Sequence, residues 1–438
     1  MSKPVPPAEL CDEIISYLWN DFQSLKACSL ANKVMIVPCQ KRFFHRVALY
    51  AATRRERICF NYTAGTSANF SKLLTKSPHI AGYVRSLFIY DHMTFVSLPC
   101  ESIDPLDAPM VDFTESEEDY RQRYWLHRDK YLPDLAPLLC NLRALVISYT
   151  GKWRHLSFRV FNGLVYMMKH PSLLYVQLDY MYPDCIFDLG MGENIKHLSL
   201  GHGYYDEPLP VHRLSHPTSG PLRIESLFTT SSWSLNSLLQ ATPTRRIDTH
   251  FLRKVVVQTT EGSVTQAFLG SCDALEELKI IVDRDSSCTL DQKVKSLLIC
   301  VLIILVPAPV ISLDKLTTMT RFTASLGFAC ERSDGTLKTN MPYLRQELMS
   351  GSTSGNSALR EITIGVACYY GKDYYSISEW KEIFGTLDRY SNLEVLNITI
   401  GMHQASGEGA CKRLFDLLDT CDDVRRLRTL KNVDVRGE

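Results

Sequence analysis

The chain has 438 residues, of which 45% are hydrophobic and 22% charged, and its 48 Lys and Arg balance 48 Asp and Glu. That length exceeds one ordinary compact core and that composition excludes a disordered chain, so two domains or an elongated repeat architecture follows. A net charge of zero excludes a global field drawing in nucleic acid or anionic lipid, so any binding surface must be local.

Pro6 and Pro7 suit the start of a first helix, Glu9, Asp12 and Glu13 favour its early turns, and Leu10, Ile14, Ile15 and Leu18 fall at helical spacing. Those acids also interrupt any signal-peptide run, which predicts an intracellular protein, cytoplasmic or nuclear. Asp21 is placed to cap a second helix carrying Leu25, Cys28, Leu30 and Val34. A third, short helix is predicted after Pro38, with Phe43, Phe44 and Val47 as its apolar positions. Three short helices make a poor independent core, so part of their apolar surface is expected to meet a partner or the next domain.

The run Val5-Pro6-Pro7-Ala8-Glu9-Leu10 with Ile14 and Leu18, the segment Ser24 to Leu30, and Arg42-Phe43-Phe44-His45-Arg46-Val47-Ala48-Leu49 together resemble an F-box. The likeness is greatest to the F-box-like proteins abundant in mushroom-forming fungi. It implies a three-helix module over 1–49 that docks a Skp-type adaptor, and through it a cullin complex and a ubiquitin-conjugating enzyme. On that likeness Pro6, Leu10, Ile14, Leu18, Leu25, Cys28, Leu30 and Met35 are the adaptor-binding candidates. Met35 stands where the family usually carries a tryptophan and Lys33 where an arginine is common. Two outcomes stay open: a docking module, or helices kept only as a cap on the region that follows.

Residues 50–80 read as a connecting helix and linker, and from 81 to 438 one phrase recurs: an apolar residue followed at +3 and +5 by two more. Clear copies are Val84-Leu87-Ile89, Leu142-Leu145-Ile147, Leu173-Val176-Leu178 and Ile195-Leu198-Leu200. Leu252-Val255-Val257, Leu275-Leu278-Ile280, Leu359-Ile362-Ile364 and Leu393-Leu396-Ile398 follow, with Ile224-Leu227-Thr229 a weaker copy. Most lie 22 to 34 residues apart, the length of one leucine-rich repeat. Residues two apart in a strand face the same side, so the last two apolar positions mark a short strand and the first closes the turn before it. Amphipathic stretches Phe161–Met168, Ser263–Leu269, Ser378–Leu387 and Ala410–Leu418 precede several copies. The expected fold is therefore α/β: the three-helix module, then an irregular leucine-rich-repeat-like solenoid with parallel strands on its concave side and helices on its convex side. A doubly wound α/β enzyme core is the rival, since it too alternates helix and strand.

Long insertions are expected near 91–130 and 285–355. The first is acidic, from Glu101 to Asp119, and ends in a basic-aromatic run, Arg121 to Arg128, that reads as a helix. The second holds the apolar run Leu297–Val306, too short for a roughly 30 Å hydrocarbon core and broken by Pro307 and Pro309, so a buried element is expected. It also has room for one or two degraded repeats.

Chemistry-bearing motifs are absent. Gly365 to Lys372 has one residue too many for a phosphate-binding loop, Gly351 to Gly355 has threonine where a nucleophile elbow needs serine, and no HExxH occurs. The 14 cysteines are scattered without metal-ligand spacing. Arg54-Arg55-Glu56-Arg57 and Arg425-Arg426-Leu427-Arg428 read as solvated helix faces. The sequence thus predicts no enzyme, cofactor, metal, membrane or nucleic-acid partner. It predicts a substrate receptor whose helices hold the adaptor and whose repeats bind a client protein.

Overall fold

Asp21 and Asn32 decide where two of the N-terminal helices begin. Asp21 Oδ1 accepts the Ser24 amide at 2.9 Å and its Oδ2 accepts the Ser24 hydroxyl at 2.5 Å; Asn32 Oδ1 accepts the Val34 amide at 3.0 Å. These bonds satisfy amides that the first helical turn leaves without partners. The resulting helices are α1 (Ala8–Tyr17), α2 (Phe22–Ala31) and α3 (Lys33–Phe43). Helix α3 starts well before Pro38 and carries that proline inside it, so the expected short helix after Pro38 is corrected. The Asn32 cap initiates the helix, and Pro38 removes one hydrogen bond without ending it. Val47, assigned to that helix by its spacing, instead lies in a strand.

The computed structural model describes residues 7–18, 21–50, 63–91, 125–149, 156–179, 191–201, 221–230, 247–258, 262–282, 318–326, 358–368, 377–387, 389–402 and 432–437, with isolated positions between them. The chain divides into two units, 1–222 and 223–438.

In the first unit β1 (Arg46–Leu49), β2 (Thr63–Gly65), β3 (Ser86–Tyr90), β4 (Ala144–Ser148), β5 (Tyr175–Asp179) and β6 (His197–Leu200) pair in the order β2-β1-β3-β4-β5-β6, all parallel. In the second, β7 (Ser226–Thr229), β8 (Lys254–Gln258), β9 (Glu277–Val282) and β10 (Arg321–Leu326) pair in sequence. The short antiparallel pair β11 (Cys330–Glu331) and β12 (Leu337–Lys338) is followed by β13 (Glu361–Cys368), β14 (Val395–Met402) and β15 (Asn432–Gly437), parallel in the order β10-β13-β14-β15. Neither run closes into a barrel.

The recurring apolar phrase explains this stacking. Every residue of the nine copies is buried, Thr229 of the weak copy included. The copies also stack in register: Leu87 faces Leu145, Leu145 faces Val176 and Val176 faces Leu198, as Val255, Leu278, Phe322, Ile362 and Leu396 do in turn. The residue after the first apolar position turns its carbonyl to the neighbouring repeat and accepts two amides from it. His45 O takes those of Arg85 and Ser86, Arg85 O those of Arg143 and Ala144, and Glu276 O those of Thr320 and Arg321.

Two copies escaped the sequence reading. Phe44-Val47-Leu49 begins the series, with β1 already in the sheet, so the last four residues of segment 1–49 belong to the repeat stack. Met319-Phe322-Ala324, all buried, is the degraded repeat within 285–355.

Helices connect several strands. These are α4 (Ser67–Lys76), α5 (Leu132–Leu135), α6 (Phe158–Met168), α7 (Gly262–Leu269) and α8 (Ile377–Leu387). Each longer one buries an apolar stripe, as with Val160, Leu164 and Met167 of α6 or Trp380, Ile383, Phe384 and Leu387 of α8. Gly163 lets α6 approach α5, since a Cβ there would lie 2.9 Å from Pro133 Cα. Each unit is an α/β architecture built on a run of parallel strands, compatible with a solenoid. Among the described residues no helix is long and apolar enough to cross a membrane. Leu297–Val306, the acidic stretch Glu101–Asp119, Gly351–Gly355, the helix expected over Ala410–Leu418 and both arginine clusters lie outside the described residues.

Candidate docking surface

Helix α3 packs against both α1 and α2, and the enclosed core is Ile15, Leu25 and Cys39, with Leu18, Cys28, Met35 and Phe43 against it. This packing sorts the residues that the sequence grouped together. Leu10, Ile14 and Leu30 are exposed, at 46%, 41% and 80%. Leu25 is buried, so its assignment to a partner-facing surface is corrected: it fills the module's own core. Leu18, Cys28 and Met35 are half-buried on that same core, and Pro6 lies outside the described residues.

Three further apolar side chains are exposed and were not singled out from sequence: Tyr17, Ile36 and Val37. Tyr17 completes a stripe with Leu10 and Ile14 at i, i+4 and i+7 along α1, while Cys11 and Ile15, one position on from the first two, turn inward. Ile36 and Val37 could not be placed while α3 was expected to begin after Pro38. The exposed acids Glu9, Asp12 and Glu13 flank this apolar stripe.

The remaining polar concentration lies on the sheet of the first unit. Along β5, Tyr175, Gln177 and Asp179 alternate onto one side: the Tyr175 hydroxyl donates to Gln177 Oε1 at 2.9 Å, and Gln177 Nε2 donates to both Asp179 oxygens at 3.2 and 3.0 Å. Asp179 stands beside Ser148 in register. Gly201 is required next to it, because a Cβ there would meet Asp179 Oδ1 at 2.2 Å. At the end of β3, Asp91 Oδ1 accepts the Leu126 amide at 2.7 Å, and Trp125 Nε1 donates to Tyr90 O at 2.8 Å, so the two ends of the 91–130 insertion are tied together. Asp91 Oδ2 and Ser148 Oγ are buried without a hydrogen-bond partner.

Burial pushes the Asp91 carboxyl up to about 7 against the Leu126 hydrogen bond, and pushes Asp179 up to about 6 against the bonds from Gln177. These carboxyls are enclosed rather than presented to solvent, so the row organises strand ends. Among the described residues no group of three His, Cys, Asp or Glu could hold a metal ion. No family model matches the chain, and no curated protein matches it.

Proposed function

We propose that the chain is a non-catalytic substrate-receptor subunit of a cullin-type ubiquitin ligase, in which α1–α3 dock a Skp-type adaptor and the leucine-rich-repeat-like solenoid binds a client protein. The observation that carries the reading is the exposure of Leu10, Ile14, Tyr17 and Leu30 on F-box-like helices whose own core is already filled by Ile15, Leu25 and Cys39. Fully burying an exposed aliphatic side chain contributes about 1.5–3 kcal/mol, and Leu10 and Ile14, already about half covered, would each contribute about half of that. A receptor of this kind performs no bond chemistry. It raises the effective concentration of a client lysine near the conjugating enzyme.

The test is association with the host's Skp-type adaptor on co-expression. Leu10→Asp with Ile14→Asp places two charges on the exposed stripe of α1 and leaves the core alone, so the variant is expected to melt like the natural chain yet lose the adaptor. Undiminished association by that variant, or none by the natural chain, rejects the docking face.

A second reading, a repeat scaffold for which the helices serve only as a cap, is favoured by how they join the repeats. Helix α3 packs on the turn Pro78–Tyr83, and Gln40 Oε1 lies 3.3 Å from His79 Nε2. In that case removing residues 1–43 lowers the melting temperature, and no adaptor is retained by either form.

A further inference from the structure

Helix α3 carries a counterpart to the stripe on α1. Lys33, Val37 and Lys41 recur at every fourth residue along it with Ile36 beside them, and all four are exposed. Leu30 and, one turn before it, Lys26 repeat the combination on α2, both exposed. The stripe on α1 has the opposite charge, since Leu10, Ile14 and Tyr17 run beside the exposed Glu9 and Glu13. Glu9 to Tyr17 and Lys33 to Lys41 each extend about 12 Å along their helices, so the two stripes match in length. They cannot meet within one copy. Cys11 and Ile15 of α1 and Cys39 of α3 all turn inward, which leaves the two stripes on the outer sides of helices that pack against each other.

From this complementarity we propose that the helical module joins two copies of the chain, α1 of one lying against α3 of the other, with Glu9 and Glu13 facing Lys33 and Lys41 around an apolar centre. Exchanging α1 and α3 across a two-fold axis satisfies both stripes of both copies at once, so the assembly closes as a dimer. The apolar side chains supply the attraction, and the bordering charges fix which helix meets which. Pairing α1 with α1 would set carboxylate against carboxylate, and α3 with α3 would set lysine against lysine. The dimer needs no adaptor and does not rest on that reading; where both hold, the adaptor and the second copy compete for α1.

Sedimentation equilibrium of the full chain by itself, over about a hundredfold range of concentration, is expected to show a reversible equilibrium of monomer and dimer. Glu9→Lys with Glu13→Lys, and separately Lys33→Glu with Lys41→Glu, are each expected to weaken the dimer about tenfold or more while circular dichroism stays that of the natural chain. Mixed in equal amounts, the two variants are expected to associate again. The lysines on α1 of the first then meet the glutamates on α3 of the second, and the unaltered α1 of the second meets the unaltered α3 of the first. If a charge-reversed variant misfolds, Val37→Asp at an exposed position decides instead, and it too is expected to break the dimer. A natural chain that stays monomeric across the range, its stripes then serving some other partner, overturns the proposal. So do folded variants that dimerise as tightly as the natural chain, or a mixture of folded variants that stays monomeric.

Discussion

At Asp91 the fold encloses a carboxyl with one amide bond on Oδ1 and nothing on Oδ2, and the consequence is a definite dependence of stability on pH. Its folded value of about 7 lies above the ordinary 3.8, so between those limits the native state holds a proton that the unfolded chain has released. Stability from this group is therefore complete below about pH 4 and falls as pH rises towards 7, by up to about 1.4 kcal/mol per unit. Asp179, raised to about 6, adds a narrower loss over the same direction. Asp91→Asn keeps the oxygen that accepts the Leu126 amide and removes the charge. Urea unfolding at pH 4.5 and pH 7 should show the variant nearly equal to the natural chain at the lower pH and more stable by a few kcal/mol at the higher. Equal stabilities at both would mean that the carboxyl is not held out of water. No pattern in the sequence marks Asp91 or Asp179 for this, because their burial depends on which chain segments close over the strand ends. Leu10 and Ile15 show the same limit in the helices: both are apolar at helical spacing, and only the position of α3 decides which of them faces outward.

Single elements were far more legible. An alternation of two defines which side of a strand is buried, and each repeat adds one register-matched row to the last. Within β9 the contrast is sharp: Leu278 and Ile280 are buried, whereas Lys279 between them is half-exposed. Leu278→Ala should cost about 2–5 kcal/mol, while Lys279→Ala should stay within about 0.5 kcal/mol, both read from urea midpoints. Comparable losses at both positions would contradict the alternation. What the pattern left out had physical causes. Ala324 replaces the expected large aliphatic in Met319-Phe322-Ala324, and in Phe44-Val47-Leu49 the first two positions also satisfy the spacing of a helix after Pro38. The charges that line the strand starts were also silent in the sequence, since pairing depends on register. Glu277 reaches Lys254 at 2.6 Å and Arg321 at 3.3 Å only because β8, β9 and β10 bring the three side by side. These pairs are largely solvated and contribute little each.

At the scale of the whole chain, stability in a stack of this kind is a sum of each repeat's own terms and those it shares with its neighbours. A strand paired on both sides must break two ladders to open, whereas one at the end of a run breaks a single ladder. In the first unit β2 is such an end: among the described residues its three residues pair only with β1. In the second, β15 pairs, among the described residues, only with β14. Native-state hydrogen exchange should therefore be faster at the amides of β2 than at those of β4 within the first unit, and faster at β15 than at β9 and β13 within the second, where both neighbours are in register. The ordering separates two accounts of the fold. A single cooperative core of the doubly wound enzyme kind would protect all of its strands to nearly the same free energy, because none opens without the rest. A graded profile, falling towards β2 within the first unit and towards β15 within the second, is what nearest-neighbour stacking demands. The frayed ends are then where sequence can change at least cost.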